Sequence, residues 1–152
     1  MKLAEALQER ASLNRKIEEL RVRILNSALV QEGEKPSEDP KELLKEYDAC
    51  IERLEYLITS INLSNTKILV KDVPLTKIIA RKDALLVKVA AYKDIADRAS
   101  RSAERARNSE IRILPCLSAK DLQKKIDRLS EEIRKLDNSL QEANWSHELI
   151  EE

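Results

Sequence analysis

Phenylalanine is absent, glycine occurs once, and aromatic residues make up only 3% of the 152 residues. Compact globules usually draw on more aromatic bulk and more turn residues. One glycine cannot supply a glycine-rich phosphate loop. Histidine also occurs once, as His147. That excludes a helical His-x-x-x-His metal pair and leaves Ser–His–Asp catalysis dependent on one residue near the end of the sequence. Cys50 and Cys116 are the only cysteines, too far apart for zinc-finger spacing and too few for a disulfide framework. No stretch approaches the ~20 apolar residues that span a bilayer. The start, Met1-Lys2-Leu3-Ala4-Glu5, lacks the apolar core of a signal peptide. Net charge is nil, with 28 Lys+Arg against 28 Asp+Glu, which weakens bulk attraction to nucleic acid or anionic membranes. A cytoplasmic protein without cofactor, metal or catalytic activity is expected.

Helical patterning is abundant. Leu3, Ala6, Arg10, Leu13, Ile17, Leu20 and Ile24 step alternately three and four residues, the period of a buried helical seam, and predict a helix over about 2–28. The connector 31–40 holds the single glycine and two of the four prolines. In it Asp39 is placed as an N-cap, with Pro40 at the first helical position. A second helix from Pro40 to about Asn65 carries Leu43, Leu44, Tyr47, Cys50, Ile51, Leu54, Leu57, Ile58 and Ile61. That apolar face is wide enough for more than one neighbour. A third helix is expected over 75–106, with Leu75, Ile78, Lys82, Leu85, Val89, Tyr92, Ala96, Ala99, Ala103 and Ala106 in its seam. A fourth starts near Ser118 and ends at Asn144-Trp145, after Leu122, Ile126, Leu129, Ile133, Leu136, Leu140 and Ala143. The tail is expected to fold back so that Trp145 caps the bundle.

Two short β-type runs, around 68–70 and 111–114, flank the third helix. A straight helix of that length would hold its ends ~48 Å apart, so pairing between subunits is one way for the runs to meet. The expected fold is all-α: one domain over 1–152, an elongated antiparallel bundle of about four long helices with a minor β element.

Charged residues at seam positions are the candidate polar site. Lys82 and Arg10 stand where apolar residues belong, and a buried ammonium needs a partner. Asp83 points elsewhere on its helix, so an acid from another helix or subunit is expected for Lys82. Arg10, Arg81, Lys82 and Asp83 form a candidate polar or anion-binding seam; a register-fixing charge is the simpler reading. Ala96, Ala99, Ala103 and Ala106 make a face where another helix backbone can come close, and with Trp145 they form a candidate interface. Arg98, Arg101 and Arg105 share a helical stripe that could contact phosphates. The acids Asp94, Asp97 and Glu104 lie among them, which favours solvated charges or salt bridges.

Several stretches together resemble a family of small uncharacterised bacterial proteins, some of whose members are called septicolysin. They are Ala4-Glu5-Ala6-Leu7-Gln8-Glu9-Arg10-Ala11, Ala28-Leu29-Val30-Gln31-Glu32-Gly33-Glu34, and Glu38-Asp39-Pro40. Ile61-Asn62, Asn65-Thr66, Ala80-Arg81-Lys82-Asp83, Ser109-Glu110-Ile111 and the stretch from Leu122-Gln123 through Asn144-Trp145 follow. The region 71–74 departs from the Asp-Gly turn of that family. The resemblance implies a mostly helical, self-associating bacterial protein without an established activity; the septicolysin name implies membrane lysis as the alternative role. The leading expectation is a homo-oligomeric structural or interaction protein whose partner is a further copy of itself.

Overall fold

In a computed structural model of the chain, residues 1–101 and 111–151 are described. The order is α1 (Leu3–Ser27), α2 (Pro40–Lys67), β1 (Leu69–Val70), β2 (Val73–Pro74), α3 (Leu75–Ser100) and α4 (Ala119–Ser146). The fold is an all-α bundle with a minor β element.

Local chemistry starts each helix. The Glu5 carboxylate accepts from the Lys2 backbone N–H at 2.7 Å, satisfying one otherwise unpaired donor at the start of α1. Asp39 Oδ1 accepts from the Lys41 N–H at 2.9 Å, with Pro40 opening α2. Ser118 Oγ accepts from the Asp121 N–H at 3.2 Å ahead of α4.

The chain divides into two compact units, Met1–Leu69 with Ala143–Glu152, and Val70–Glu142. In the first, α1 and α2 pack antiparallel around buried Leu20, Leu43 and Cys50, with Leu13, Ile17, Ile24 and Tyr47 against them. Two ion pairs tie the helices, Glu9–Arg53 at 2.7 Å and Lys16–Glu46 at 2.7 Å, and a third, Arg23–Glu38, ties α1 to the connector just before α2. Their α1 members recur every seven residues while their partners run the other way. The tail closes this unit. Leu149 N donates to Met1 O at 2.8 Å, Leu3 N donates to His147 O at 3.1 Å, and Ile150 N donates to the buried Ser64 Oγ at 2.8 Å. In the second unit α3 and α4 pack through buried Val89, Ala96, Leu122 and Ile126, with Tyr92, Leu129 and Ile133 alongside.

Four expectations change. Asn65 does not stop α2: Ile68 N still donates to Ser64 O at 2.8 Å, so the helix runs through to Lys67. The β-type run at 68–70 pairs locally, β1 with β2, through a two-residue turn in which Lys71 and Asp72 both have positive φ (49° and 64°). That left-handed conformation suits the twist of a tight hairpin. Residues 111–114 form no strand. The described part of α3 ends at Ser100, and the positions expected to continue it lie in 102–110, outside the described residues. Finally, α4 continues to Ser146 because His147 N still reaches Ala143 O at 3.1 Å. Trp145 stays 51% exposed, and Leu149 is the tail's buried side chain.

Candidate functional site

Polar chemistry in the second unit centres on the α3–α4 seam. Lys82 occupies its apolar row after Leu75 and Ile78, one turn before buried Leu85. Its ammonium donates to Asp137 Oδ1 on α4 at 2.7 Å, with the lysine side chain 26% exposed. The acid therefore comes from another helix. The preceding residue, Arg81, pairs with Glu132 of α4 at 2.9 Å on a more exposed edge. Asp83 is exposed. Arg10 belongs to the first unit, half-buried on α1, where its neighbour Glu9 is held by Arg53. Of the four candidate seam residues, Arg81 and Lys82 are thus engaged by a common helix, and Asp83 is not part of that engagement.

The candidate interface residues separate. Ala96 is buried in the α3–α4 cluster, so the helix that comes close to it is α4. Ala99 is half-buried. Ala103 and Ala106 lie outside the described residues, as does Arg105. Arg98, Ala99 and Arg101 line a concavity with Ile113, Leu114 and Pro115, and Arg101 is also paired with Asp97 at 2.8 Å.

An apolar row stands open on α2. Leu43, Cys50 and Leu57 are buried, yet the adjacent row Leu44, Ile51 and Ile58 is 50%, 38% and 41% exposed. The wide apolar face is therefore only partly used within the first unit. The same hairpin's other edge carries the Glu9–Arg53, Lys16–Glu46 and Arg23–Glu38 ion pairs.

Sequence reasoning missed a cluster on the α3–α4 edge, where Lys88, Tyr92, Lys125, Arg128 and Leu129 line a concavity of about 230 Å³. Its signal was faint: Lys88 and Tyr92 are one turn apart on one helix, Lys125 and Arg128 one turn apart on another, and only the helix register brings them together.

Both cysteines are free thiols, Cys50 buried and Cys116 exposed. Among the described residues no group of three or more His, Cys, Asp or Glu could hold a metal ion, and no helix is long and apolar enough to cross a membrane.

These features define a class: helical hairpins with charged edges and an unfilled apolar row. Residues 10–149 match a family of unknown function (DUF6847), and the chain belongs to that family. A conserved protein of unknown function from Corynebacterium diphtheriae, known from its crystal structure, is similar throughout. It is 37% identical, with 99% of each chain covered and a TM-score of 0.91. No curated protein matches.

Proposed function

We infer that this chain is a self-associating helical interaction protein without catalytic activity of its own, acting in the cytoplasm as a single domain. The open row Leu44, Ile51 and Ile58 carries this reading. It repeats every seven residues beside the row that packs on α1, the spacing with which helices add a further partner. A second copy offers the same row, and two-fold pairing would bury both. Ala99 and the exposed Trp145 are further contacts in this proposal.

Light scattering over a range of concentrations tests it. The molar mass is expected to exceed that of one chain, and Ile51→Lys is expected to return it to the monomer while far-UV circular dichroism is unchanged. A parent protein that stays monomeric at every concentration overturns the proposal. The septicolysin-like lytic role draws on resemblance alone; dye release from liposomes is its test, with no release expected. Gel shifts at low salt test the phosphate-contact role of Arg98, Arg101 and Arg105, with no shift expected.

A further inference from the structure

The Arg81–Glu132 ion pair bridges α3 and α4 at 2.9 Å. In antiparallel helices, one heptad forward on one partner and one heptad back on the other lead to the next facing pair. Here that step leads from Arg81 to Lys88 and from Glu132 to Lys125. Opposite charges at one step are followed by like charges at the next, and Arg128 adds a third cation one turn from Lys125. Like charges held close on helix faces destabilise the free protein. Among the described residues none of the three is held in an ion pair within 4.0 Å. Neighbouring acids are engaged elsewhere: Glu132 by Arg81, Glu131 by Lys135, and Asp127 by Gln123. Asp121, one turn before Lys125, makes no ion pair with it among the described residues.

The three cations surround a concavity of about 230 Å³ whose other walls are Tyr92 and Leu129, both half-buried. Lys88 Nζ lies 5.5 Å from the centre of the Tyr92 ring, a cation–π contact that positions the ammonium over the ring. Arginine supplies a planar fork for phosphate oxygens, and the lysines supply point charges. The tyrosine hydroxyl can donate as well.

We propose that this cluster of Lys88, Tyr92, Lys125 and Arg128 is a binding site for a small ligand bearing a diphosphate group. The volume and the three positive charges match such an anion. Nucleic acid fits less well. Typical complexes neutralise ~6–10 phosphates, and here the Tyr92 ring is already covered by Lys88 rather than open for base stacking.

Calorimetric titration of the full chain with sodium pyrophosphate, against sodium sulfate at matched ionic strength, tests the site. Pyrophosphate is expected to bind and to raise the melting temperature, and the double variant Lys125→Gln with Arg128→Gln is expected to weaken binding at least about tenfold. A second variant separates the site from a structural role. Arg128→Glu reverses the charge at the site, so the ligand-free protein is expected to keep its helical dichroism while the response to pyrophosphate disappears. Adenosine diphosphate distinguishes sources within the class: tighter binding than pyrophosphate assigns a nucleotide, and equal binding assigns the diphosphate alone. The proposal is overturned if pyrophosphate gives no more heat than sulfate, or if the double variant binds unchanged. It is also overturned if Arg128→Glu keeps the response to pyrophosphate, or if a single-stranded oligonucleotide displaces pyrophosphate.

Discussion

At the scale of single residues, Lys82 shows what a charge in an apolar row demands. Its ammonium is only partly hydrated and is held by Asp137 at 2.7 Å. Removing the acid alone strands the ammonium beside the seam, so Asp137→Leu is expected to destabilise by about 1 kcal/mol, between the values typical of surface and buried pairs. Replacing both partners, Lys82→Leu with Asp137→Leu, is expected to recover that loss or exceed it, because the apolar row of α3 then runs unbroken from Leu75 to Val89 with no ammonium left unpaired. Urea midpoints of the three proteins measure this, and a double variant weaker than Asp137→Leu alone would sink the argument. The need for a partner was legible in the sequence, since the three–four spacing puts Lys82 where leucine belongs. Which acid answers it was not legible. That depends on how α3 and α4 are aligned, and several acids of α4 were available. The Lys88, Lys125 and Arg128 cluster escaped for the same reason: each residue alone is an ordinary exposed cation.

At the scale of elements, the α1–α2 hairpin is aligned by charge as well as by apolar packing. A slide of one heptad in one direction would set Glu9 against Glu46; in the other it would set Lys16 against Arg53. Either slip gives up the three attractive pairs for a mixture of attraction and repulsion, since Lys16 would then face Glu38 and Asp39 or Arg23 would face Glu46, so the observed register is favoured. The same pairs make stability depend on acid. A hydrogen bond from the Arg53 guanidinium holds the Glu9 carboxyl below its usual value of 4.5. Arg23 does the same for Glu38 and Lys16 for Glu46, again chiefly by hydrogen bonding. Lowered folded-state values mean that the contribution is complete above the unfolded value near 4.5 and is lost as pH falls through the lower folded values. The urea midpoint is therefore expected to hold from neutrality to about pH 5 and then to fall, more shallowly in Lys16→Gln than in the parent. An identical acid slope in the two proteins would dissociate Lys16–Glu46 from the effect. The helices themselves were legible because their seams are regular. The β1–β2 hairpin was not, because its turn uses Lys71 and Asp72 in left-handed conformations, where asparagine and glycine are the usual signals. Without that signal, β-branched residues at 68–70 and 111–114 looked like partners for one another.

At the scale of the whole molecule, connectivity bears on cooperativity. The chain leaves the first unit after Leu69 and returns to it at Ala143, so the tail that pairs with Met1 and Leu3 is separated in sequence from the rest of that unit by all of the second. The helix α4 is continuous from Ala119 to Ser146, and its last turn belongs to the first unit. Melting either unit would fray a helix from which the other takes residues, and helix ends lose their hydrogen bonds cooperatively. A single domain in the thermodynamic sense is therefore the expected behaviour. Trp145 is the only tryptophan and lies within the first unit, whereas far-UV circular dichroism reports on α1 to α4 together. Urea transitions followed by the two signals are expected to coincide, with one midpoint and one slope. If dichroism continues to change after the tryptophan signal has finished, the units unfold separately. Leu149→Ala sharpens the comparison: Leu149 is buried in the tail's contact with the first unit, and its truncation is expected to cost about 2 kcal/mol. In a cooperative molecule that loss shifts the whole of both transitions together, whereas independent units would shift the tryptophan signal and only the first unit's share of the dichroism.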